Sequence, residues 1–247
     1  MSKKYELTNE TKPLEGGTVL HRIRALRDIP RFGVKAGELG GFVEEEINLS
    51  QDGDAWVYGN ACVYDNACVY GDAEVYGNAK VSDNAKVYGK AWVYGNAWVS
   101  GNAEVSGDAE VSGNAKVSGN AKVYGKAWVY GNACVYGDAE VYGNAKVFGN
   151  AEVFGNAEVS GDAEVSGDAK VENGHDYFVA KNTWSSLRWF TYTRSNKKWA
   201  VGCFYGTGEE LVAKAYKDSK LSGKCYEAIV HAVETIEAAK AEAKETK

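Results

Sequence analysis

The chain has two prolines, one methionine, three histidines and five cysteines in 247 residues. So little proline excludes a polyproline or collagen-like rod. Five cysteines with no Cys-x-x-Cys pair give no disulfide framework, so reduced thiols are expected. His21, His175 and His231 leave little material for acid–base chemistry. No apolar run approaches the ~20 residues of a membrane-spanning helix. The opening MSKKYELTNETKPLEGG has no apolar signal core, so the expected setting is the cytoplasm, away from membranes. A net charge of −6 argues against a phosphate-backbone binder, and no nucleic acid is expected as partner.

What the chain has in quantity is a period of six. The unit is Gly-Asn/Asp-Ala-x-Val-Tyr/Ser/Phe. Alanines fall at every sixth position from Ala55 to Ala169, twenty hexads in all, and valines keep step from Val57 to Val171. Six residues turn an α-helix through about 600°, so an apolar face would drift. A strand serves instead: Ala and Val point to one side, x and Tyr to the other. Gly-Asn then makes the corner, because both tolerate a left-handed backbone. Stacked hexads bury a narrow Ala/Val core, the logic of a β-solenoid.

The corner residue before each alanine sets the number of hexads per coil. Every eighteen residues one column reads Asn60, Asn78, Asn96, Asn114, Asn132, Asn150. A second begins Asn66, Asn84, Asn102, Asn120. The third carries charge: Asp54, Asp72, Lys90, Asp108, Lys126, Asn144, Asp162. A spacing of eighteen separates these sets, so three hexads form a coil and the coils a triangular prism.

This pattern resembles the hexapeptide-repeat, left-handed β-helix proteins. The entry segment HRIRALRDIPRFGVKAGELGGFVEEEINLSQDGDAWVYGNA is similar to YdcK-like proteins of bacteria and their prophages, often labelled putative acyltransferases. The resemblance implies a mainly β fold, a left-handed triangular β-helix. It also implies self-association, with a trimer favoured. Acyltransferases of this class place a histidine base between subunits and use coenzyme A, and they extrude a loop over the acceptor. Here no histidine and no insertion interrupts the hexads. No metal and no cofactor are therefore expected, coenzyme A entering only under the acyltransferase alternative. The regular surface, rather than a reactive group on it, is expected to carry the function: a non-enzymatic binding or oligomerisation protein, with a phage accessory or host-interaction role as one form of it.

The candidate surface is the face after the charged corner. It carries Trp56, Tyr58, Tyr76, Lys90, Trp92, Tyr94, Lys126, Trp128 and Tyr130, all expected to point outward. The segment AKVYGKAWVYGNA occurs from Ala85 and again from Ala121, so the Lys-Trp-Tyr setting is duplicated two coils apart. Large outward aromatics usually mark an interface, here with a second copy of the chain or another protein.

Three regions are expected. Residues 1–51 form an entry cap with a strand over 18–29, and Val43 and Leu49 already fall in the alanine register. Residues 52–172 form the solenoid. Residues 173–247 form an α+β domain, a three-strand meander and two helices. Ser195-Asn196 suits a hairpin turn, and Thr207 with Glu210 forms a helix capping box. Arg188, Trp189, Arg194, Lys197, Lys198 and Trp199 make a second candidate binding face there.

Overall fold

The computed structural model describes residues 3–245. The chain divides into two compact units, the break falling after Gly174.

The first unit is a three-sided parallel β-solenoid. Each hexad contributes one two-residue strand, x-Val, and the strands stack into three sheets. One sheet runs from Trp56–Val57 to Glu164–Val165 in seven strands, and one from Cys68–Val69 to Glu158–Val159 in six. The third runs from Cys62–Val63 to Lys170–Val171 and is extended by three strands of the entry segment. Trp92 pairs with Glu74 on one side and Glu110 on the other, eighteen residues away each time. Every alanine and valine of the repeat is fully buried.

Stacking at eighteen brings like corners together. From Asn60 to Asn150 each amide donates from Nδ2 to Oδ1 of the next, at 3.0–3.4 Å, and Asn150 ends on Asp168. The second ladder runs from Asn66 to Asp138. The corner glycines sit at φ near +70°. Gly101 shows why: a Cβ there would lie 2.9 Å from the backbone N and O of Gly119.

In each sheet the N–H of one residue donates to the carbonyl seventeen positions later, as Trp92 does to Ala109 at 2.9 Å. The first coil is thus left with a row of orphan carbonyls, which must find donors. The entry segment supplies them. Lys4 Nζ donates to Ala55 O at 2.8 Å and Arg27 to Gly53 O at 3.2 Å, and the backbone N–H groups of Phe42 and Glu44 donate to Ala61 O and Val63 O at 2.9 and 3.1 Å. Asn48 Nδ2 donates to both Asp65 O and Ala67 O at 2.9 Å. Two antiparallel strands, Tyr5–Pro13 and Val19–Ala25, carry part of this cap. The first of them was not expected from the sequence.

The register of entry also differs from expectation. Val43 pairs with Val63 and Leu49 bridges to Val69, twenty residues on rather than eighteen. Both therefore stand on the valine columns, not the alanine ones. The two extra residues lie in the corner between Leu49 and Ala55. There the Gln51 side chain accepts from the backbone of Lys4 at 2.8 Å, so the wider corner anchors the N-terminal strand.

Among its described residues the second unit has four antiparallel strands where three were expected: Tyr177–Lys181, Trp189–Thr193, Lys198–Val201 and Phe204–Gly206. The run KKWAVGCFYG is two strands because Gly202, at φ +57°, opens a two-residue hairpin between Val201 and Phe204. Helices α1 (Gly208–Asp218) and α2 (Lys220–Glu245) pack on the sheet through Leu211, Ala215, Tyr226, Val230 and Val233 against Phe190, Tyr192 and Trp199. The capping box at Thr207 forms, Thr207 Oγ1 accepting from Glu210 N and Glu210 from Thr207 N. Trp199 is a core residue and Arg194 pairs with Asp176 and Glu237, so the basic and aromatic residues here do not form one face. No described helix is long and apolar enough to cross a membrane.

Candidate functional site

The seven-stranded sheet presents the face singled out above. Its outward residues alternate from coil to coil between bulky and acidic: Trp56, Glu74, Trp92, Glu110, Trp128. Beside them runs the charged corner, and on the other flank the tyrosine column.

Trp92 and Trp128 are 42 % and 44 % exposed, two strand spacings or about 10 Å apart. Lys90 and Lys126, at the corner beside them, are exposed too. Lys146 Nζ lies 5.8 Å from the Trp128 ring centroid, and it also pairs with Glu164 at 3.2 Å. The tyrosines stand half-buried in stacks. Tyr76 and Tyr94 lie parallel at 4.8 Å, and Tyr130 stacks on Phe148 at 4.9 Å. The Tyr94 hydroxyl donates to Glu110 at 3.0 Å. This motif, tyrosine to the glutamate of the next coil, recurs elsewhere on the prism, as from Tyr124 to Glu140 at 3.0 Å.

Trp56 departs from the expectation. It is buried, its ring edge-on to Tyr5 of the N-terminal strand. Tyr58 is half-covered by Phe32, with ring centroids at 6.4 Å. The short turn Pro30–Phe32 therefore closes this end of the face, and the open part begins beyond it. Arg31 of the same turn lies 3.4 Å from Asp72. With Lys90, Trp92, Asp108 and Glu110 it lines an open pocket of about 200 Å³. Arg31, Asp108 and Glu110 were not among the sequence-derived candidates. The repeat contains the two acids, but nothing local in IPRFG tells where Arg31 docks.

Burial shifts the titrating groups of this face upward. It pushes the Tyr76 hydroxyl up to about 12, with Tyr94 and Glu74 adding to the effect. Burial raises Tyr58, Tyr94 and Tyr130 as well, the negative charges of Glu74, Glu110 and Glu164 respectively adding to it. Burial also raises the Glu74 carboxyl, against the pull of Arg31. The tyrosines thus stay neutral donors, which suits ladder bonds and not proton abstraction.

None of the three histidines belongs to the hexads. His21, on strand Val19–Ala25, has Nδ1 3.3 Å from Thr8 O. His231 is exposed on α2. The five cysteines are free, and among the described residues no group of three or more His, Cys, Asp and Glu is arranged to hold a metal ion. Trp98, on the neighbouring sheet, is also exposed and donates from Nε1 to Ser82 at 3.1 Å. Neither a protein-family model nor a curated protein matches the chain.

Proposed function

We propose that the protein is a non-enzymatic, cytoplasmic β-solenoid that works by binding a macromolecule through its aromatic face. The carrying observation is the pair Trp92 and Trp128, each nearly half in solvent on a flat sheet, each with a lysine before it and a tyrosine beside it. Apolar area left in water at two matched sites is area available to a partner. Aromatic anchors with a charged rim are how protein interfaces are commonly built.

The first candidate partner is another copy of the chain. Hexapeptide-repeat proteins commonly trimerise along their prisms, and the prophage members of that class suit a phage accessory or host-interaction role. Resemblance to that class also carries the alternative, a coenzyme A-dependent acyltransferase acting between subunits. An unfolding temperature raised by coenzyme A would support that alternative, since ligand bound to the native state stabilises it.

The test of the binding reading is the double substitution Trp92→Ala with Trp128→Ala. Both side chains point away from the Ala/Val core, so the fold should survive. Self-association in sedimentation, or partner capture in a pull-down, should weaken by a few kcal/mol if both are anchors. An unchanged oligomer together with unchanged capture would leave the tryptophans as lateral sheet packing.

A further inference from the structure

From the Glu74 coil to the Trp128 coil the face alternates in height and sign together, and Lys146 in the next coil ends the alternation. The coil of Lys90, Trp92 and Tyr94 is a cationic ridge, and so is that of Lys126, Trp128 and Tyr130. The coil between them, Asp108, Glu110 and Ser112, is an acidic valley, occupied in part by the pocket described above. Ridge and valley differ by one coil, about 4.8 Å.

Such a surface is complementary to itself only after a shift of one coil. Two prisms side by side, parallel and in register about a two-fold axis along the Trp/Glu column, set ridge on ridge and Glu110 against its own copy. Like charges placed so oppose association. An antiparallel pair behaves differently. A two-fold axis lying in the interface and across the prism reverses the coil order but leaves each column facing itself. Placed between the Trp92 and Glu110 coils, it sets Lys90 opposite Asp108, Trp92 over Glu110 and Tyr94 opposite Ser112. Each of these contacts occurs twice, as an isologous interface requires. One step out, Lys126 meets Asp72, and the Trp128 indole meets the Arg31 guanidinium that lies over that carboxylate. Moving the axis one coil further on would instead set Asp72 against Asp162 and Glu74 against Glu164.

We infer that the face is a self-recognition surface for an antiparallel two-fold dimer, in which the Trp92 ridge of each copy enters the Asp108–Glu110 valley of the other. This rests on the reading of the face as a docking surface. The open part spans roughly 20 Å of prism, which puts the interface at the small end of the size range.

The test is sedimentation equilibrium on the full chain with charge-swapped variants. Lys90→Glu alone and Asp108→Lys alone should each weaken the dimer by about tenfold or more, by placing like charges across the axis. The combined variant Lys90→Glu/Asp108→Lys restores opposite charges at both copies and should bring the dimer back to within about threefold of the parent. All these positions are on the surface, and thermal unfolding checks that each variant folds. A double variant as weak as the singles overturns the proposal, and so does rescue of Asp108→Lys by Lys126→Glu instead. A wild-type trimer, or a monomer, overturns it too. If in that case Trp92→Ala/Trp128→Ala still abolishes capture of another protein, the docking reading stands and only the choice of partner fails.

Discussion

Tyr5 stands edge-on to Trp56, ring centroids 6.3 Å apart and planes at 76°. The Tyr5 hydroxyl donates to Leu49 O at 2.7 Å and reaches Glu46 O at 3.0 Å. This contact separates Trp56 from Trp92 and Trp128, which share its sequence setting. Removing a buried tryptophan takes away both transferred area and packing. Trp56→Ala should therefore cost about 3 kcal/mol or more, whereas Trp92→Ala should cost less than about 1 kcal/mol. Chemical denaturation of the two variants compares them. Equal losses would mean that the cap does not hold Trp56.

The corners give a second expectation. Asp65 and Asp83 replace glycine in the repeat and still sit at φ +56° and +60°. Their carboxylates make the substitution tolerable: Asp65 Oδ2 accepts from Asp83 N at 3.2 Å, and Asp83 Oδ2 from Gly101 N at 2.9 Å. Alanine has neither this bond nor room. Gly101→Ala should destabilise by about 2 kcal/mol or more, from left-handed strain plus the close approach to Gly119. Asp83→Gly should lie within about 1 kcal/mol of the parent, the lost bond being offset by relief of strain. Thermal unfolding decides, and an innocuous Gly101→Ala would contradict the corner geometry.

The asparagine ladders run in one direction, Nδ2 to the Oδ1 of the following coil. Aspartate accepts but cannot donate onward, so it fits only where a ladder stops, as at Asp138 and Asp168. Asn96→Asp in mid-ladder should cost about 1 kcal/mol, because Asn114 loses its donor. Asp138→Asn should give back up to about 1 kcal/mol by reaching Asn156. Opposite signs in unfolding temperature are the expected result.

Lys4 titrates unusually. Its side chain is buried against Ala55 O, and burial, helped by Arg27, brings its pKa down to about 8 from 10.5. Between those values the unfolded chain holds a proton that the folded one has released, so stability rises with pH. Below about 8 both states are charged and the full burial penalty applies. Above 10.5 both are neutral and the penalty is gone. Lys4→Met has no such group. The parent should therefore gain stability relative to Lys4→Met as pH rises from 8 to 10.5, a comparison that cancels the common ionisation of the tyrosines. A pH-independent difference would mean that Lys4 reaches water.

Much of this molecule was written in its repeat. A period of six with Ala and Val fixed can bury its apolar side only as stacked short strands, and the corner columns set eighteen residues per coil. Identical units repeat one local solution, so local chemistry carries the fold there. The capping box at Thr207 was legible for the same reason, its two bonds spanning three residues. Gly202 was less so, since glycine within an apolar strand run signals a bulge or a close approach as readily as a turn. The tertiary structure decided what lies beyond the repeat. Which tryptophan is free depended on where Tyr5 and Phe32 land, and the two-residue shift at Leu49 depended on Gln51 meeting the backbone of Lys4. Orphan carbonyls at the first coil demand donors, but any chain segment can offer an amine or an amide. Only the packed entry segment chooses Lys4, Arg27 and Asn48, and with them the extent of the face left open.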